Sequence, residues 1–383
     1  MLAINDPKLP GLADLSEERL CRMTNATSVA LMRLRYRAGK RAILHLATGE
    51  GAEKREGVLW FFGGDKARRL ARRNKSAHYD PETQALYERF PNDHRMPQIR
   101  NFLDTYADIA PNLMEAEPEG EPVLLRYRPG LSCTFRCAVK GDSAVYVKLI
   151  NDDSPARVAA VNNRMCELLK DSLVSIAPVM STHPAHTAVV YAAAPGLALD
   201  QTLRDTDNLD ALHQAIDALR CFWTIPLVPE RQMTPQVLRH RAMESAAFVA
   251  VTAPLCVALV NRFVERLQAH DPQLNFAPIH GDMKLEHVFL NGDKTTLIDT
   301  ESVSYGPPDY DLAQLYGRLW QAEMEGQLPH NLVASAAVDI RQMAGPGFNW
   351  CLDVVALRLA KFYAQRPAPN MASQINSMLG RLG

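Results

Sequence analysis

The sequence predicts an α+β fold in which a half that mixes strands and helices precedes a mainly helical half. Two copies of a strand–turn–strand–helix pattern occur before residue 171, a linker-like stretch precedes the second copy, and helical periodicity dominates from residue 208. The chain has 383 residues, of which 47% are hydrophobic and 22% are charged. This length is typical of two or three domains, and this composition is typical of a globular protein.

The two copies begin with the same short motif. Residues 34–39 read Leu-Arg-Tyr-Arg-Ala-Gly, and residues 125–130 read Leu-Arg-Tyr-Arg-Pro-Gly. Chance similarity is the alternative, but the shared pattern after both motifs favours a duplication. The predicted elements that follow are strands at 42–46, 57–62, 134–139 and 144–150, and helices at 65–73 and 154–170.

Composition suggests where the domains end. Residues 112–122 are rich in acidic residues and proline, which is typical of a linker, and helical patterns cover 208–225 and 235–269. We therefore predict three parts, which are an accessory α+β domain at 1–115, a second α+β part at 121–195 and a mainly helical part at 196–383.

Charge and cysteine content argue against several classes of protein. The formal net charge is −1, which does not suit a protein that binds polyanions over its whole surface. Seven cysteines are scattered along the chain, which favours a reducing compartment over a disulfide framework. No signal peptide is recognisable, and the apolar stretch 245–260 is too short to span a bilayer. We therefore expect a cytoplasmic protein without nucleic-acid or membrane partners.

The segment 278–313 places acidic residues around a short hairpin. Asp282 precedes an apolar strand, a hairpin-type Asn-Gly-Asp turn follows at 291–293, and the second strand ends at Asp299. A hairpin of this length brings its two ends together. The spacing alone therefore predicts that Asp282, His287 and Asp299 converge.

Phosphoryl transfer needs a group of this kind. Mg²⁺, which prefers carboxylate oxygen, neutralises the phosphates. A second carboxylate orients the attacking hydroxyl and accepts its proton, and a cation holds the nucleotide phosphates. Asp282, Asp299 and Lys148, which lies in the second strand of the second copy only, can fill these three roles.

The same segment resembles the aminoglycoside phosphotransferase and choline kinase group, which shares the protein-kinase-like fold. The pattern of that group is His-Gly-Asp, four residues, Asn, then Ile-Asp-x-Glu, then Gly, four residues and Asp-Leu-Ala. This chain matches it at 280–282, 298–301, 306 and 311–313. The resemblance implies a two-lobe fold in which Asp282 is the catalytic base, Asp299 is the principal magnesium ligand and Asp311 braces the site.

Two positions near the predicted base require separate interpretation. Where the group has asparagine, this chain has His287, which could bind Mg²⁺ or Mn²⁺, contact phosphate directly or mark a weakened site. Lys284 lies where protein serine/threonine kinases have a lysine that touches the transferred phosphate, so the resemblance implies a catalytic role. The short interval from Asp299 to Gly306 leaves no room for a long activation loop, which favours the small-molecule branch.

Upstream residues resemble the nucleotide-binding lobe of the same group. The resemblance implies a turn that covers the phosphates, a lysine that contacts them, a glutamate that holds this lysine, and a hinge at 189–196 that meets adenine. Residues 1–115 lie outside the group's pattern, and we interpret them as a degenerate copy of the small lobe. The residues implied to bind the nucleotide are Gly130, Ser132, Lys148, Glu167, Ala192 and Ala194.

We therefore expect a phosphotransferase that uses ATP and Mg²⁺, or Mn²⁺, and acts on a hydroxyl of a small molecule. The acceptor would resemble an aminoglycoside, a sugar or an amino alcohol. One alternative is a pseudokinase-like regulatory protein that binds nucleotide, motivated by His287 and the single glycine of the turn. Another is a kinase acting on a peptide or protein, motivated by Lys284 and the extra domain.

Overall fold

The computed structural model describes residues 3–51, 54–114, 117–141, 143–151, 154–205, 208–270 and 272–383. The chain forms two compact units. The first unit comprises Met1–Ala159, Val179–Ala192 and Ala364–Met371, and the second comprises Ala160–Pro178, Ala193–Tyr363 and Ala372–Gly383. Across the described ranges, no helix is both long and apolar enough to cross a membrane.

The elements of both units are named here in chain order. The strands are β1 (Val29–Arg37), β2 (Arg41–Thr48), β3 (Arg55–Phe62), β4 (His78–Asp80), β5 (Ala85–Arg89), β6 (Val123–Arg128), β7 (Ser132–Val139), β8 (Ser143–Ile150), β9 (Val174–Ile176), β10 (Val179–His183), β11 (Ala188–Ala192), β12 (Leu197–Ala198), β13 (Ala277–Ile279), β14 (Val288–Asn291), β15 (Lys294–Leu297) and β16 (Ser304–Gly306). The α-helices are α1 (Glu17–Thr24), α2 (Lys66–Arg73), α3 (Gln98–Met114), α4 (Pro155–Leu168), α5 (Leu199–Arg204), α6 (Asp210–Trp223), α7 (Pro235–Thr252), α8 (Val257–Ala269), α9 (Pro308–Met324), α10 (His330–Met343), α11 (Phe348–Ala364) and α12 (Met371–Leu382).

Two five-stranded sheets in the first unit have the same topology. The first has the order β1-β2-β3-β5-β4, and the second has the order β6-β7-β8-β11-β10. In both sheets three antiparallel strands follow one another, a helix intervenes, and the last strand in sequence pairs with the third. This identity of strand order is what a duplication of the kind predicted from the repeated motif would produce, and the duplication itself stays a prediction.

The repeated motif makes the same hydrogen bonds in both copies. In each, the tyrosine hydroxyl and the glycine amide donate to one oxygen of an aspartate that precedes the first helix of its repeat. Each aspartate belongs to an Asn-Asp-x-(Lys/Arg)-x-Pro segment, at 5–10 and at 92–97. In the first copy, Tyr36 and Gly39 donate to Asp6 at 2.8 and 2.7 Å, respectively. In the second copy, Tyr127 and Gly130 donate to Asp93 at 2.8 and 2.6 Å.

Helix α3 belongs to the second sheet. Its residues Ile99 and Phe102 are fully buried in one hydrophobic cluster with Cys133 and Phe135 of β7. The sequence predicts the end of the accessory domain at residue 115, within the linker-like stretch 112–122. The packing of α3 instead leads us to propose that the first repeat ends near Pro91 and that the second repeat starts with the following segment.

The second unit is mainly helical and carries two small sheets. Strands β12, β14, β15 and β9 form one sheet, in which β15 pairs with β9 in parallel and with β14 in antiparallel fashion. Strands β13 and β16 form the other. The hairpin predicted around the Asn-Gly-Asp turn is confirmed as β14–β15, and Gly292 in the turn has a φ of +56°. The hairpin and β13 present the loops that hold the candidate site.

Candidate active site

The loop that carries Asp282 is fixed by close backbone packing. Gly281 has a φ of +78°, and a Cβ atom at this position would lie 2.5 Å from the carbonyl oxygen of Ser302. Only glycine fits such a position without strain. The side chain of His280 is buried, and its Nε2 lies 2.8 Å from the carbonyl oxygen of Ile298. These contacts set the direction in which Asp282 leaves the loop.

Asp311, near the start of α9, is fully buried and accepts three hydrogen bonds. The backbone amides of His280 and Gly281 donate at 2.8 and 2.9 Å, and Trp223 Nε1 donates at 3.2 Å. Burial raises the pKa of Asp311, while His280 and the amide donors oppose this rise because they stabilise the carboxylate. Asp311 therefore holds the backbone that immediately precedes Asp282.

Three predicted residues converge at the two ends of the hairpin. One ligand atom from each of Asp282, His287 and Asp299 lies within 4.8 Å of the other two. His287 Nε2 is 3.4 Å from Asp299 Oδ2. Asp299 adopts the left-handed conformation, with φ and ψ of 58° and 42°. This uncommon backbone for aspartate turns the chain at the end of β15.

His287 is held as a neutral imidazole with a defined tautomer. Its Nδ1 lies 3.0 Å from the carbonyl oxygen of Asp282, which can only accept, so Nδ1 carries the proton. The lone pair of Nε2 then faces Lys284 Nζ at 3.3 Å. Burial, followed by the positive charge of Lys284, lowers the pKa of His287 to about 3, although Asp299 opposes the change.

Two cations contact the carboxylate of Asp282. Lys284 Nζ lies 3.2 Å from Oδ2, and Arg358 Nη2 lies 3.7 Å from Oδ1. Burial would raise the pKa of Asp282, but Lys284 and then Arg358 outweigh burial and hold this pKa well below its usual range. Asp282 is therefore ionised at neutral pH.

Two arginines that the sequence does not predict act on Asp282. Arg358 lies in α11, hydrogen-bonds the Tyr310 hydroxyl and stacks 5.7 Å from the centre of that ring. Arg241 lies in α7, and burial lowers its pKa while the charges of Glu244 and Asp282 oppose this. In the sequence, Arg358 is noticeable only as a lone arginine in the otherwise apolar centre of α11. Because Arg241 and Arg358 are far from Asp282 in the sequence, no local pattern predicts that they lie near it.

The predicted phosphate-binding turn is enclosed within the first unit. The amide of Gly130 donates to Asp93 Oδ2, and a Cβ atom on Gly130 would lie 2.9 Å from Trp60. Arg35 Nη2 donates to the carbonyl oxygen of Pro129. Ser132 is also buried. The Gly130 amide is thus engaged by a protein acceptor in this structure, and its role in binding phosphate stays a prediction.

The other residues predicted to bind nucleotide belong to both compact units. Lys148 is in β8, opposite Thr134 on one side and Val189 on the other. Glu167 belongs to the second unit, where its carboxylate is 2.6 Å from Arg164 and its side chain is 65% exposed. The predicted lysine–glutamate pair therefore stays a prediction. Of the two predicted hinge residues, Ala192 ends β11 and Ala194 follows this strand.

The donor set around His287 fits a divalent cation. Asp282 and Asp299 offer carboxylate oxygen, which Mg²⁺ and Mn²⁺ both accept. The neutral Nε2 of His287 adds one nitrogen, which Mn²⁺ accepts more readily than Mg²⁺. Lys284 Nζ lies beside the same oxygen and nitrogen atoms, so a bound cation and this ammonium group would repel each other.

Comparison with known proteins identifies the class. A profile of the phosphotransferase enzyme family, APH, matches residues 132–346, which is more than half of the chain. The chain belongs to this family, and the predictions of a phosphotransferase and of the aminoglycoside phosphotransferase and choline kinase resemblance are confirmed. No curated protein matches the sequence significantly.

Solved structures share the fold at low sequence identity. A choline/ethanolamine kinase family protein from Mesorhizobium loti superposes with a TM-score of 0.50 and 15% identity, covering 74% of this chain and 93% of its own. A thermostable mutant of aminoglycoside phosphotransferase APH(4)-Ia, in ternary complex with ADP and hygromycin B, superposes with a TM-score of 0.52 and 12% identity. This match covers 69% of this chain and 93% of that protein. Choline kinase LicA from Streptococcus pneumoniae superposes with a TM-score of 0.50 and 11% identity, covering 74% of this chain and 99% of its own. The predicted protein-kinase-like fold is thereby confirmed.

Proposed function

We propose that the protein transfers the γ-phosphate of ATP to a hydroxyl group of a small molecule. The observation that carries the proposal is the convergence of Asp282, His287 and Asp299, with Lys284 against the first of them. An ionised carboxylate, a group of cation ligands and a buried ammonium are the parts that phosphoryl transfer uses.

Each side chain has a separate task in this proposal. Asp282 orients the acceptor hydroxyl and takes its proton. Its low pKa makes it a weak base, which suffices because the hydroxyl becomes acidic only as the new bond to phosphorus forms. Asp299 and His287 hold the divalent cation, which when bound neutralises charge on the phosphates. Lys284 lies close enough to stabilise charge on the transferred group.

The cations near Asp282 affect which charge the acceptor can carry. Lys284 and Arg358 contact Asp282 directly, and the charge of Arg241 also acts on it. A cationic acceptor, such as an aminoglycoside or amino alcohol, would approach against these charges. Among the classes suggested by the sequence we therefore favour a sugar, and we add anionic hydroxyl compounds such as sugar acids to the candidates.

Turnover with a matched set of acceptors tests the proposal. ADP release would be measured with sugars, sugar acids and amino alcohols, each with Mg²⁺ or Mn²⁺. We expect Asp282→Asn and Asp299→Asn to lose at least about a hundredfold in kcat, the range typical of positioned acid–base and electrostatic groups. Asp217→Asn, whose side chain is 70% exposed on α6, is the control that should retain activity. Equal product formation by wild type and Asp282→Asn would refute the assignment of the base.

Metal preference tests the role of His287. We expect wild type to be relatively more active with Mn²⁺, and His287→Asn to shift this preference toward Mg²⁺, because an amide oxygen replaces a nitrogen ligand. An unchanged ratio of the two activities would show that His287 does not contact the cation.

A nucleotide-binding regulatory protein is the second candidate. The observation that favours it is the enclosed turn, in which Asp93 already accepts from the Gly130 amide. This candidate predicts that ATP binds without turnover for any acceptor, peptides included. Binding measured by calorimetry together with product analysis by mass spectrometry separates the two candidates.

A further inference from the structure

Two arginines from different helices carry positive charge close to the Asp282 carboxylate. Arg358 of α11 lies with its Nη2 atom 3.7 Å from Asp282 Oδ1, and Lys284 Nζ lies 3.2 Å from Oδ2. Arg241 of α7 interacts with the same carboxylate through its charge. These residues all belong to the second unit. The predicted base therefore has a cation beside each of its oxygens, and Arg241 supplies further positive charge.

Contacts of Met233 place Arg241 beside the strands that lead to Asp282. Arg241 Nη1 lies 3.1 Å from the sulfur of Met233, which is buried. A Cβ atom on Gly306 of β16 would lie 2.8 Å from Met233 Cβ and 2.7 Å from Ile279 Cδ1. Ile279 ends β13, and His280-Gly281-Asp282 follows it directly. The tip of the Arg241 side chain is thus held beside the strand that continues into the Asp282 loop.

The guanidinium group of Arg241 has few protein partners. Within the ranges that the structure describes, its hydrogen bond goes to the Met233 sulfur, which is a weak acceptor. Glu244 also interacts with Arg241 through its charge, but its side chain is 55% exposed and lies 3.7 Å from His240 Nε2. Most of the N–H donors of Arg241 therefore have no protein acceptor among the described residues.

Arg241 is not required to keep Asp282 ionised. Lys284 and Arg358 already outweigh the effect of burial on the pKa of Asp282. A role for Arg241 in holding the base is therefore a weaker explanation of its position than a role toward a ligand.

Arg358 adds a second guanidinium group to this part of the site. Its hydrogen bond to the Tyr310 hydroxyl and its stacking on that ring fix its direction. Burial lowers the pKa of Arg358, Asp282 opposes this change, and the charge of Arg241 adds to it. The side chains of Arg358 and Asp282 are 31% and 29% exposed, so solvent reaches both. The two arginines thus repel each other at a place that a ligand can reach.

We propose that Arg241 binds an anionic group of the acceptor, which is then a hydroxyl compound that also carries a carboxylate or a phosphate. This inference rests on the proposed phosphotransferase function, because it concerns the acceptor of the same site. A guanidinium fork pairs with two oxygens of either anion through parallel N–H donors. The anion would reduce the repulsion between Arg241 and Arg358, whereas an ammonium group would increase it. Arg241 is in this role a specificity-determining residue, and Asp282 remains the base.

Two matched series of acceptors test the proposal. One series is glycerol, glycerate, glycerol phosphate and serinol, and the other is glucose, glucuronate, glucose phosphate and glucosamine. Within each series the carbon frame is similar, while the charged group is absent, a carboxylate, a phosphate or an ammonium. The two anionic members show which of the two anions the site accepts.

Turnover and binding are measured separately on the whole chain at equal ionic strength. ADP release gives kcat and KM, and calorimetry with ADP and Mn²⁺ present detects compounds that bind without being phosphorylated. We expect wild type to prefer an anionic member over the neutral member of the same series. Arg241→Gln should lower the ratio of the two kcat/KM values at least about tenfold, mainly through KM, because a charge-assisted hydrogen bond is lost.

Two further variants separate binding from packing. Arg241→Lys keeps the charge but not the fork, so its KM for the anionic acceptor should lie between those of wild type and Arg241→Gln. Arg262→Gln replaces an exposed arginine on α8 of the same unit and should keep the wild-type preference. Thermal unfolding shows whether Arg241→Gln is folded. If it is not, Arg241→Lys replaces it, and its KM for the anionic acceptor should still exceed that of wild type.

The outcomes distinguish this inference from the proposed function. A higher kcat/KM of wild type for neutral or cationic members, or equal preference in wild type and Arg241→Gln, would overturn the inference and leave the phosphotransferase proposal intact. Binding of an anionic member that depends on Arg241, without ADP release for any member, would support the inference and refute the proposed transfer. Neither binding nor ADP release for any member of the two series would overturn both.

Discussion

Replacement of His287 by asparagine should make the protein less sensitive to acid. The imidazole is 4% exposed, and the charges of Lys284 and Asp299 act on its pKa in opposite directions. Its pKa is about 3 in the folded protein, against about 6.5 in an unfolded chain. As the pH falls, the unfolded chain takes up this proton first, so the free energy of unfolding decreases from about pH 6.5 downwards.

The size of the effect follows from these two pKa values. Between pH 7.5 and pH 5.0, His287 should remove about 2 kcal/mol from the free energy of unfolding, because only the unfolded chain is protonated there. His287→Asn has no such proton uptake. Its free energy of unfolding should therefore fall by about 2 kcal/mol less than that of wild type over the same interval.

Urea unfolding at the two pH values, followed by tryptophan fluorescence, measures this difference. His240→Asn is the control, because the His240 side chain is 75% exposed rather than buried. The comparison uses the change with pH within each protein, so a constant loss of packing in the variant cancels. Parallel pH profiles for wild type and His287→Asn would refute the conclusion that this imidazole is held neutral.

Two further substitutions test the surroundings of the base. Arg358→Gln should raise the pKa of Asp282, since one of its two contacting cations is lost, and should move the acid limb of the kcat/KM profile to higher pH; an unmoved limb would contradict this. Gly281→Ala should destabilise the protein by roughly 1–3 kcal/mol and abolish turnover, because its Cβ meets the Ser302 carbonyl. Gly292→Ala, whose Cβ has open space around it, is the control in thermal unfolding.

Local patterns were sufficient to predict the centre of the site. The Asn-Gly turn fixed the hairpin β14–β15, and the hairpin fixed the meeting of Asp282 with Asp299. These contacts depend on a few consecutive residues, so spacing determines them. Arg358 reaches Asp282 from α11, and such a contact depends on how whole helices pack.

The boundary between the repeats could not be predicted from composition. Acidic residues and proline after residue 112 resemble a linker, yet α3 before them packs in the core of the second sheet. Composition shows where a chain is polar. The limits of a repeat, however, depend on which sheet a helix packs against. The aspartate segment at 92–97, which repeats 5–10, marks the start that we propose for the second repeat, but it is too short to recognise alone.

The paired aspartates have a consequence for how the two repeats could be separated. Asp6 and Asp93 each tie the leading segment of a repeat to the first hairpin of that same repeat. A chain cut between Pro91 and Asn92 would leave both ties intact within their own fragments. Two independently expressed pieces could then reassociate into the intact arrangement, whereas a cut at residue 115 would strip α3 from the sheet whose core it completes.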